Sequence, residues 1–274
     1  LKTRVITAII LLAIFLPVLF LLPPIYLSAL FFLILVAAAW EWSRLISPNA
    51  AYSAYFYAII CAMLVVFLWL LPEPNIELAL LSIALAFWVI GMPMILSQGI
   101  HLSMSRWRLI FSVLGFIVLP TAWLSLNILR EIGLLWLLST MILVWLADIG
   151  AYFVGKAVGK RKLAAQISPG KSIEGAIGGL LLCYGYALLC IFYLPFESSI
   201  FGAWAIRFGW VPTFIMVTVL TGFSIIGDLF ESQLKRMAGV KDSSHLLPGH
   251  GGVLDRVDAL IPTMPIAALL AGLV

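Results

Sequence analysis

Charged residues are concentrated in one stretch of this otherwise apolar chain, from Gly227 to Asp258. The stretch contains five of the twelve acidic residues, two of the three histidines and a cluster of glycines. Carboxylate oxygens are ligands for hard divalent cations, whereas basic side chains and exposed backbone amides bind phosphate. The composition of the stretch therefore predicts an active site that handles metal and phosphate at a membrane surface.

The first part of the stretch has helical spacing. Asp228, Ser232 and Lys235 stand at i, i+4 and i+7, and Glu231 lies beside them, so a helix places all four on one face. An ionisable residue inside an apolar helix is costly, and it indicates a functional site by default. We therefore expect Asp228 to be functional and Glu231 to be a candidate metal ligand. The alternative for both is a structural ion pair with the lysine.

A glycine-rich loop and the start of another helix follow. The glycines near 249–252 leave backbone amides that an anion can approach closely, and Gly251 and Gly252 are candidate substrate-binding residues. Asp255 and Asp258 are spaced i, i+3 on the first turn of the next helix. Mg²⁺ takes one or two protein carboxylates together with substrate phosphates, so Asp228 and Asp255 are predicted to hold it. Asp258 is a further candidate metal ligand. The alternative for Asp255 and Asp258 is a partner of the helix dipole.

Several further residues of the stretch could contact substrate. Four cations are placed to balance phosphate charge, namely Lys235, Arg236, Lys241 and Arg256. His250 is either a general base or phosphate donor, or a plain loop histidine. Ser232 and Asp242 are candidate substrate-binding residues, and His245 and His101 are interpreted as surface residues.

A second group of polar residues lies earlier in the chain. Asp148 is expected near one end of the sixth apolar span, either in the site or paired with a neighbouring helix. The seventh span opens on a segment typical of an anion site at a helix N-terminus, namely Ser168, Pro169, Gly170, Lys171 and Ser172. A P-loop is a weak interpretation, because Ala165 replaces the first glycine and no strand is predicted before it. Gly175 and Gly179 predict close helix packing.

The elements that position these residues are predicted to be transmembrane helices. The 274 residues are 64% hydrophobic and 10% charged, which excludes an ordinary soluble domain. We expect an all-α polytopic membrane protein, in which residues 1–130 carry helices 1–5 and residues 131–274 carry the catalytic helices 6–9 as one integral unit. The predicted spans are 5–22, 25–46, 52–71, 78–97, 109–129, 133–155, 172–194, 211–236 and 255 onward.

The distribution of basic residues predicts the orientation. With the N-terminus in the cytoplasm and the C-terminus outside, fourteen of the sixteen lysines and arginines fall on the cytoplasmic side. These cations, including the run 160–162, flank membrane spans, so the net charge of +4 does not indicate nucleic-acid binding. Trp40, Glu41 and Trp42 are typical of an aromatic belt at the membrane interface with a charge reaching out to water.

The second half of the charged stretch carries a specific resemblance. The pattern resembles the full signature of the phosphatidate cytidylyltransferase (CDP-diacylglycerol synthase) family, in the residues Ser232, Leu234, Lys235, Arg236, Lys241, Asp242, Ser244, Leu247, Pro248, His250, Gly251, Gly252, Val253, Asp255, Arg256, Val257 and Asp258. Weaker similarity extends over the rest of the chain, and the compact length is similar to that of bacterial members.

The resemblance implies an activity. It implies that CTP and phosphatidic acid react to give CDP-diacylglycerol and pyrophosphate with Mg²⁺, which in this family can be joined by K⁺ as a second ion, at the positions of Asp228 and Asp255. It also implies a bacterial inner membrane with the site facing the cytoplasm, and a homodimer. The alternatives are a CTP-dependent membrane lipid kinase and a cation-coupled transporter. A transporter is less favoured because the charges gather at one membrane face.

Overall fold

The computed structural model describes residues 2–48, 51–195 and 197–274. These residues form an all-α bundle with one small β-hairpin. Long apolar runs form helices because a helix pairs its backbone groups internally where water is absent. The helices of the first half are α1 (Lys2–Phe20), α2 (Pro24–Ile46), α3 (Ala51–Leu70), α4 (Pro74–Ala86), α5 (Met92–Ser97) and α6 (Met104–Ile132). The second half contains α7 (Leu134–Val158), β1 (Lys162–Ala164), β2 (Ser168–Ser172), α8 (Ile173–Tyr193), α9 (Ile200–Phe208), α10 (Trp210–Met237), α11 (Leu254–Val257) and α12 (Leu260–Ala271).

The chain is a polytopic membrane protein by the length and composition of its helices. Within the described residues, seven helices are long and apolar enough to cross a bilayer, namely Pro24–Ile46, Tyr52–Leu70, Pro74–Ser97, Met104–Ile132, Leu134–Val158, Ile173–Tyr193 and Trp210–Met237. The apolar part of α1, Val5–Phe20, is shorter. Helix α12 has 12 residues, about 18 Å of helix, which is less than the ~30 Å hydrocarbon core.

The fourth predicted span is not one regular helix. Helix α4 passes into a π-helical turn at Phe87–Gly91, and α5 then completes the span to Ser97. Pro93 lies in the first turn of α5 and has no backbone N–H to donate to the preceding turn. The span Pro74–Ser97 is therefore one continuous helix that contains a π-helical turn. It continues into a short 3₁₀ turn at Gly99–His101.

The β-hairpin corrects the sequence interpretation of the segment before α8. Strands β1 and β2 pair antiparallel, and Ser168–Ser172 is itself strand β2 instead of a loop. Ser172 is the N-cap of α8, where its hydroxyl oxygen accepts a hydrogen bond from the Gly175 N–H at 3.1 Å. A P-loop requires a phosphate-wrapping loop between a strand and a helix, so this antiparallel hairpin excludes one.

The predicted close packing at Gly175 and Gly179 is confirmed, and it lies within the chain. A Cβ on Gly175 would meet the Ala151 carbonyl oxygen at 2.6 Å, and one on Gly179 would meet the Ala147 carbonyl oxygen at 2.5 Å. Gly150 on α7 faces the Gly179 Cα in the same way. Helices α7 and α8 therefore pack backbone to backbone, which fixes the hairpin relative to α7.

An aromatic cluster joins the N-terminal helices to α10. Trp42 on α2, Trp88 in the π-helical turn and Phe111 on α6 surround Phe230, with ring centroids 5.6 to 6.1 Å from it. All four side chains are buried. Phe230 lies within the charged segment of α10 but on the opposite side of the helix from Asp228, Ser232 and Lys235, so the aromatic core packs behind the polar face.

An apolar cavity of about 360 Å³ lies between α1, α2, α6, α7 and α12. Its lining is hydrocarbon and aromatic except for Arg256, which contributes the one charged side chain among the described lining residues. The walls include Leu35, Ala122 and Trp123. The cavity therefore places an apolar volume beside a cation of the signature sequence.

Candidate active site

Helix α10 presents the predicted polar face. The Ser232 hydroxyl donates to Asp228 Oδ1 at 3.2 Å, and Lys235 forms an ion pair with Glu231 one turn earlier. The predicted helical register is therefore correct. The Glu231 carboxylate is buried, and neither of its oxygens accepts a hydrogen bond beyond the lysine ion pair.

The β-hairpin forms a second wall of the site. Lys171 Nζ on β2 lies 2.6 Å from Asp228 Oδ2, and the side chains of both residues are about a quarter exposed. The Arg236 Nε donates to the Ile167 carbonyl oxygen at 3.4 Å, which ties the end of α10 to the same hairpin. The structural alternative for Asp228, a pair with Lys235, is wrong, because the partner is Lys171.

Three carboxylates share the space around Lys171. Asp148 on α7 lies within range of charge repulsion from Asp228, and Asp258 is repelled by both of them. Lys171 is attracted to Asp148 and Asp258 as well as to Asp228. The position of Asp148 therefore agrees with its predicted place near the site.

Asp255 is the centre of a dense hydrogen-bond network. Lys235 Nζ lies 2.6 Å from Oδ1, and Oδ2 accepts from the Gly252 N–H at 2.7 Å and from the Ser243 N–H and hydroxyl at 3.0 Å each. Burial on its own raises the pKa of Asp255. The hydrogen bonds from Lys235 and Gly252 outweigh it and lower the pKa to about 2. Asp255 is therefore ionised at neutral pH.

The glycines of the loop serve this network. Gly251 has φ +83°, which favours glycine, and a Cβ there would lie 2.7 Å from Asp255 Oδ2. The Gly252 amide donates to Asp255, and the His250 amide donates to the Leu247 carbonyl oxygen at 2.8 Å. In this structure these two amides bind protein oxygens, whereas the sequence interpretation had directed such groups toward phosphate.

The remaining predicted residues lie around the same loop. The Arg256 guanidinium donates to the His250 carbonyl oxygen, with Nε at 3.1 Å, and the His250 Nδ1 is buried without a hydrogen-bond partner among the described residues. Lys241, Asp242 and Gly170 are exposed, and Ser168 is half-buried. The Ser172 hydroxyl is buried in its capping role.

Glu41 is a functional candidate that the sequence interpretation missed. The expectation of a charge reaching out to water is wrong, because Glu41 is 0% exposed. Its Oε1 accepts from the Ser244 hydroxyl and from the Val253 N–H at 2.9 Å, and its Oε2 accepts from the Leu254 N–H at 2.6 Å. The Ser243 hydroxyl oxygen lies 3.1 Å from Oε2, and its one proton is shared between Glu41 and Asp255. The available signal was a lone acidic residue near the end of an otherwise apolar span.

The carboxylates present suit a hard divalent cation. Asp228, Asp148 and Asp258 supply oxygen ligands of the kind that Mg²⁺ takes, and the Asp228 side chain is 28% exposed. Among the described residues, no three acidic, histidine or cysteine side chains are already arranged as a metal cluster. The ammonium groups of Lys171 and Lys235 are the counter-ions of Asp228 and Asp255.

Comparison with known proteins identifies the family of the chain. Residues 2–274 match the cytidylyltransferase family. A phosphatidate cytidylyltransferase from Pseudomonas aeruginosa is 39% identical, with 98% of this chain and 96% of the relative covered. An enzyme of the same name from Haemophilus influenzae is 36% identical, with 97% of this chain and 96% of the relative covered. Another from Staphylococcus haemolyticus is 34% identical, with 98% of each chain covered. The resemblance stated from the signature is confirmed, and this chain belongs to the cytidylyltransferase family.

Proposed function

We propose that this chain is a phosphatidate cytidylyltransferase, which transfers CMP from CTP to phosphatidic acid and releases pyrophosphate. The observation that carries the proposal is the ion pair between Lys171 of the hairpin and Asp228 of α10, in a chain that matches the family over residues 2–274. The product, CDP-diacylglycerol, is a precursor for phospholipid biosynthesis.

The reaction needs no nucleophilic side chain. A phosphate oxygen of phosphatidate attacks the α-phosphorus of CTP, an oxygen–phosphorus bond forms, and the bond to pyrophosphate breaks. The nucleophile is already an anion, so catalysis consists of positioning the reactants and stabilising charge. Lys171, partly exposed beside Asp228, is placed to hold a phosphate group, and Arg256 and the exposed Lys241 balance further charge.

Mg²⁺ is the cofactor we propose, with Asp228 and Asp255 as its principal ligands and K⁺ as a second ion. When bound, the ion would supply positive charge that neutralises the charge developing on the substrate phosphates. Asp148 and Asp258 extend the acidic surface beside Asp228, and Glu231 lies behind it. Binding requires Lys171 and Lys235 to move from the carboxylates, and phosphate groups of the substrates provide new partners for both ammonium groups.

The apolar cavity is proposed to hold an acyl chain of the lipid. Its volume of about 360 Å³ lies within the range of known ligand pockets, and Arg256 at its wall can face the lipid phosphate. Arg256 directly follows Asp255 in sequence, so a lipid phosphate bound by Arg256 would lie near the proposed site. We propose entry from the cytoplasmic leaflet of a bacterial inner membrane, with nine spans, the N-terminus inside and the C-terminus outside.

A homodimer is a further proposal. Gly175 and Gly179 are occupied by α7 within the chain, so a dimer would have to use another surface. Cross-linking in lipid nanodiscs, followed by mass measurement, tests the oligomeric state.

One assay tests the function directly. Purified protein is incubated with CTP, phosphatidate and Mg²⁺, and pyrophosphate and CDP-lipid are measured together. A lipid kinase would release CDP instead of pyrophosphate, and a transporter would form neither product. Removal of Mg²⁺ with EDTA should abolish turnover, and added Mg²⁺ should restore it. Undiminished turnover in EDTA would exclude the proposed cofactor.

A further inference from the structure

Glu41 lies outside the signature sequence, yet it binds that sequence at four points. Glu41 is near the end of α2, and its partners are 202 to 213 residues later in the chain. It receives two backbone N–H groups at the start of α11 and two serine hydroxyls of the preceding loop. A fully buried carboxylate is retained only where such donors compensate for its lost hydration.

Ser243 connects Glu41 to the predicted catalytic carboxylate. Its hydroxyl oxygen lies 3.1 Å from Glu41 Oε2 and 3.0 Å from Asp255 Oδ2, and its backbone N–H also binds Asp255. The Val253 and Leu254 amides that Glu41 binds directly precede Asp255 in sequence. Glu41 therefore fixes both the hydroxyl that contacts Asp255 and the backbone that carries it.

Gly252 supports the same inference from its steric environment. A Cβ on Gly252 would meet the Ser243 hydroxyl, and it would lie 2.5 Å from Glu41 Oε1. Because real Cβ atoms do not approach neighbours so closely, any other residue at position 252 would displace the Ser243 or Glu41 side chain. The Gly252 amide in turn donates to Asp255 at 2.7 Å.

We propose that Glu41 is a positioning residue for the reaction: it holds the loop 243–254 so that Asp255 faces the substrates in its active orientation. The inference rests on the proposed function of Asp255 at that site. Residues that orient metal-binding groups typically change metal affinity or activity by about 10- to 100-fold when they are mutated.

Glu41→Gln is the sharpest substitution, because it keeps the size of the side chain. Oε1 and Oε2 each accept one backbone N–H, from Val253 and Leu254 respectively. Whichever way the amide is turned, its NH₂ group faces one of these donors. The loop must therefore give up a hydrogen bond, whereas the helical packing around position 41 is unchanged.

The test compares purified full-length wild type, Glu41→Gln and Glu73→Gln in lipid nanodiscs. Glu73 is an exposed glutamate at the start of α4, so Glu73→Gln is the matched control. Hydrogen exchange of residues 243–254 reports on the loop without any substrate. Turnover is measured over a range of Mg²⁺ concentrations. The folded, non-aggregated fraction of each variant is determined separately by size-exclusion chromatography.

We expect Glu41→Gln to accelerate exchange in residues 243–254, to lower kcat by about 10-fold or more, and to raise the Mg²⁺ concentration for half-maximal turnover several-fold. Glu73→Gln should match wild type. Wild-type loop exchange in Glu41→Gln would overturn the proposal. So would a lower kcat with unchanged Mg²⁺ dependence, because a smaller folded fraction alone gives that result.

A second variant keeps the proposal testable if Glu41→Gln does not fold. Ser243→Ala removes the hydroxyl between Glu41 and Asp255 but keeps the Ser243 N–H bond to Asp255. It should raise the Mg²⁺ requirement less than Glu41→Gln does; an unchanged requirement and kcat would contradict the proposal. If the wild-type protein makes no CDP-lipid, the proposed function fails. The hydrogen-exchange measurement is independent of that result: if residues 243–254 exchange at the same rate in Ser243→Ala as in wild type, the proposed role of the Glu41 contact is rejected.

Discussion

Lys171 Nζ lies 2.6 Å from Asp228 Oδ2, which joins the β-hairpin to the middle of the charged face of α10. The two residues come from regions that the sequence presents as separate polar groups. Their contact joins the two groups into one site. In it, the Lys171 ammonium lies among the carboxylates of Asp148 on α7, Asp228 on α10 and Asp258 before α12.

Replacement of Lys171 by methionine should lower kcat/KM for CTP by roughly 100-fold, because removing one group that stabilises charge in the transition state typically costs about 10²- to 10³-fold in rate. It leaves Asp228 facing Asp148 and Asp258 without its counter-ion. Steady-state kinetics with varied CTP measure the effect, and Lys171→Arg should retain part of the activity. Wild-type kinetics in Lys171→Met would show that the ion pair has no role in turnover.

Asp228→Asn should lower kcat by about 100-fold or more, a loss comparable to removing one group that stabilises transition-state charge. The substitution keeps the side-chain size and leaves a carbonyl oxygen for Ser232, so the fold should be preserved. Pyrophosphate release over a Mg²⁺ titration is the measurement. Glu131→Gln, which neutralises an exposed acid at the end of α6, is the control and should behave as wild type. Near-normal turnover in Asp228→Asn would remove Asp228 from the proposed metal site.

Gly179→Ala should destabilise the protein by about 1–3 kcal/mol, because the added methyl group is forced against the α7 backbone. A Cβ there would lie 2.5 Å from the Ala147 carbonyl oxygen. Gly185→Ala on the same helix is the matched control, since its Cβ would meet nothing within 4 Å. Thermal unfolding in detergent should show a lower Tm for the first variant and an equal or higher Tm for the second. Equal Tm values for both would contradict the packing described.

Ala122→Trp should raise KM for phosphatidate several-fold and leave KM for CTP unchanged, because the indole fills the apolar cavity. Ala79→Trp places the same side chain on an exposed face of α4 and serves as the control. Kinetics in mixed micelles with varied lipid mole fraction separate the two substrates. An unchanged KM for phosphatidate would place the acyl chains elsewhere.

Much of the helical architecture could be predicted, because an apolar chain in lipid must pair its backbone polar groups internally and a helix does so. The span predicted as 211–236 is α10 at Trp210–Met237, and the one predicted as 172–194 is α8 at Ile173–Tyr193. The ends agree because charge, proline or glycine interrupts each apolar run. The β-hairpin was not predicted, since its strands of three and five residues are too short for a periodic pattern.

The sequence predicted which residues surround the site better than it predicted which of them contact one another. Spacing along α10 is sufficient to place Ser232 one turn from Asp228, because helix geometry is local. The partnership of Lys171 with Asp228 depends on how α7, α8 and α10 pack, which no local pattern encodes. Glu41 was misinterpreted for the same reason: flanking tryptophans are typical of a membrane interface, and its partners begin 202 residues later.

The long sequence separation of the Glu41 contacts also bears on how the protein is made. Helix α2 leaves the ribosome long before residues 243–254 have been synthesised, so Glu41 has none of its four loop donors when α2 enters the membrane. A carboxylate without partners is costly in hydrocarbon, so during synthesis we expect this end of α2 to remain in contact with water. Closure of the loop over Glu41 is then a late step of biogenesis, and the catalytic centre is completed only after nearly the whole chain has been inserted.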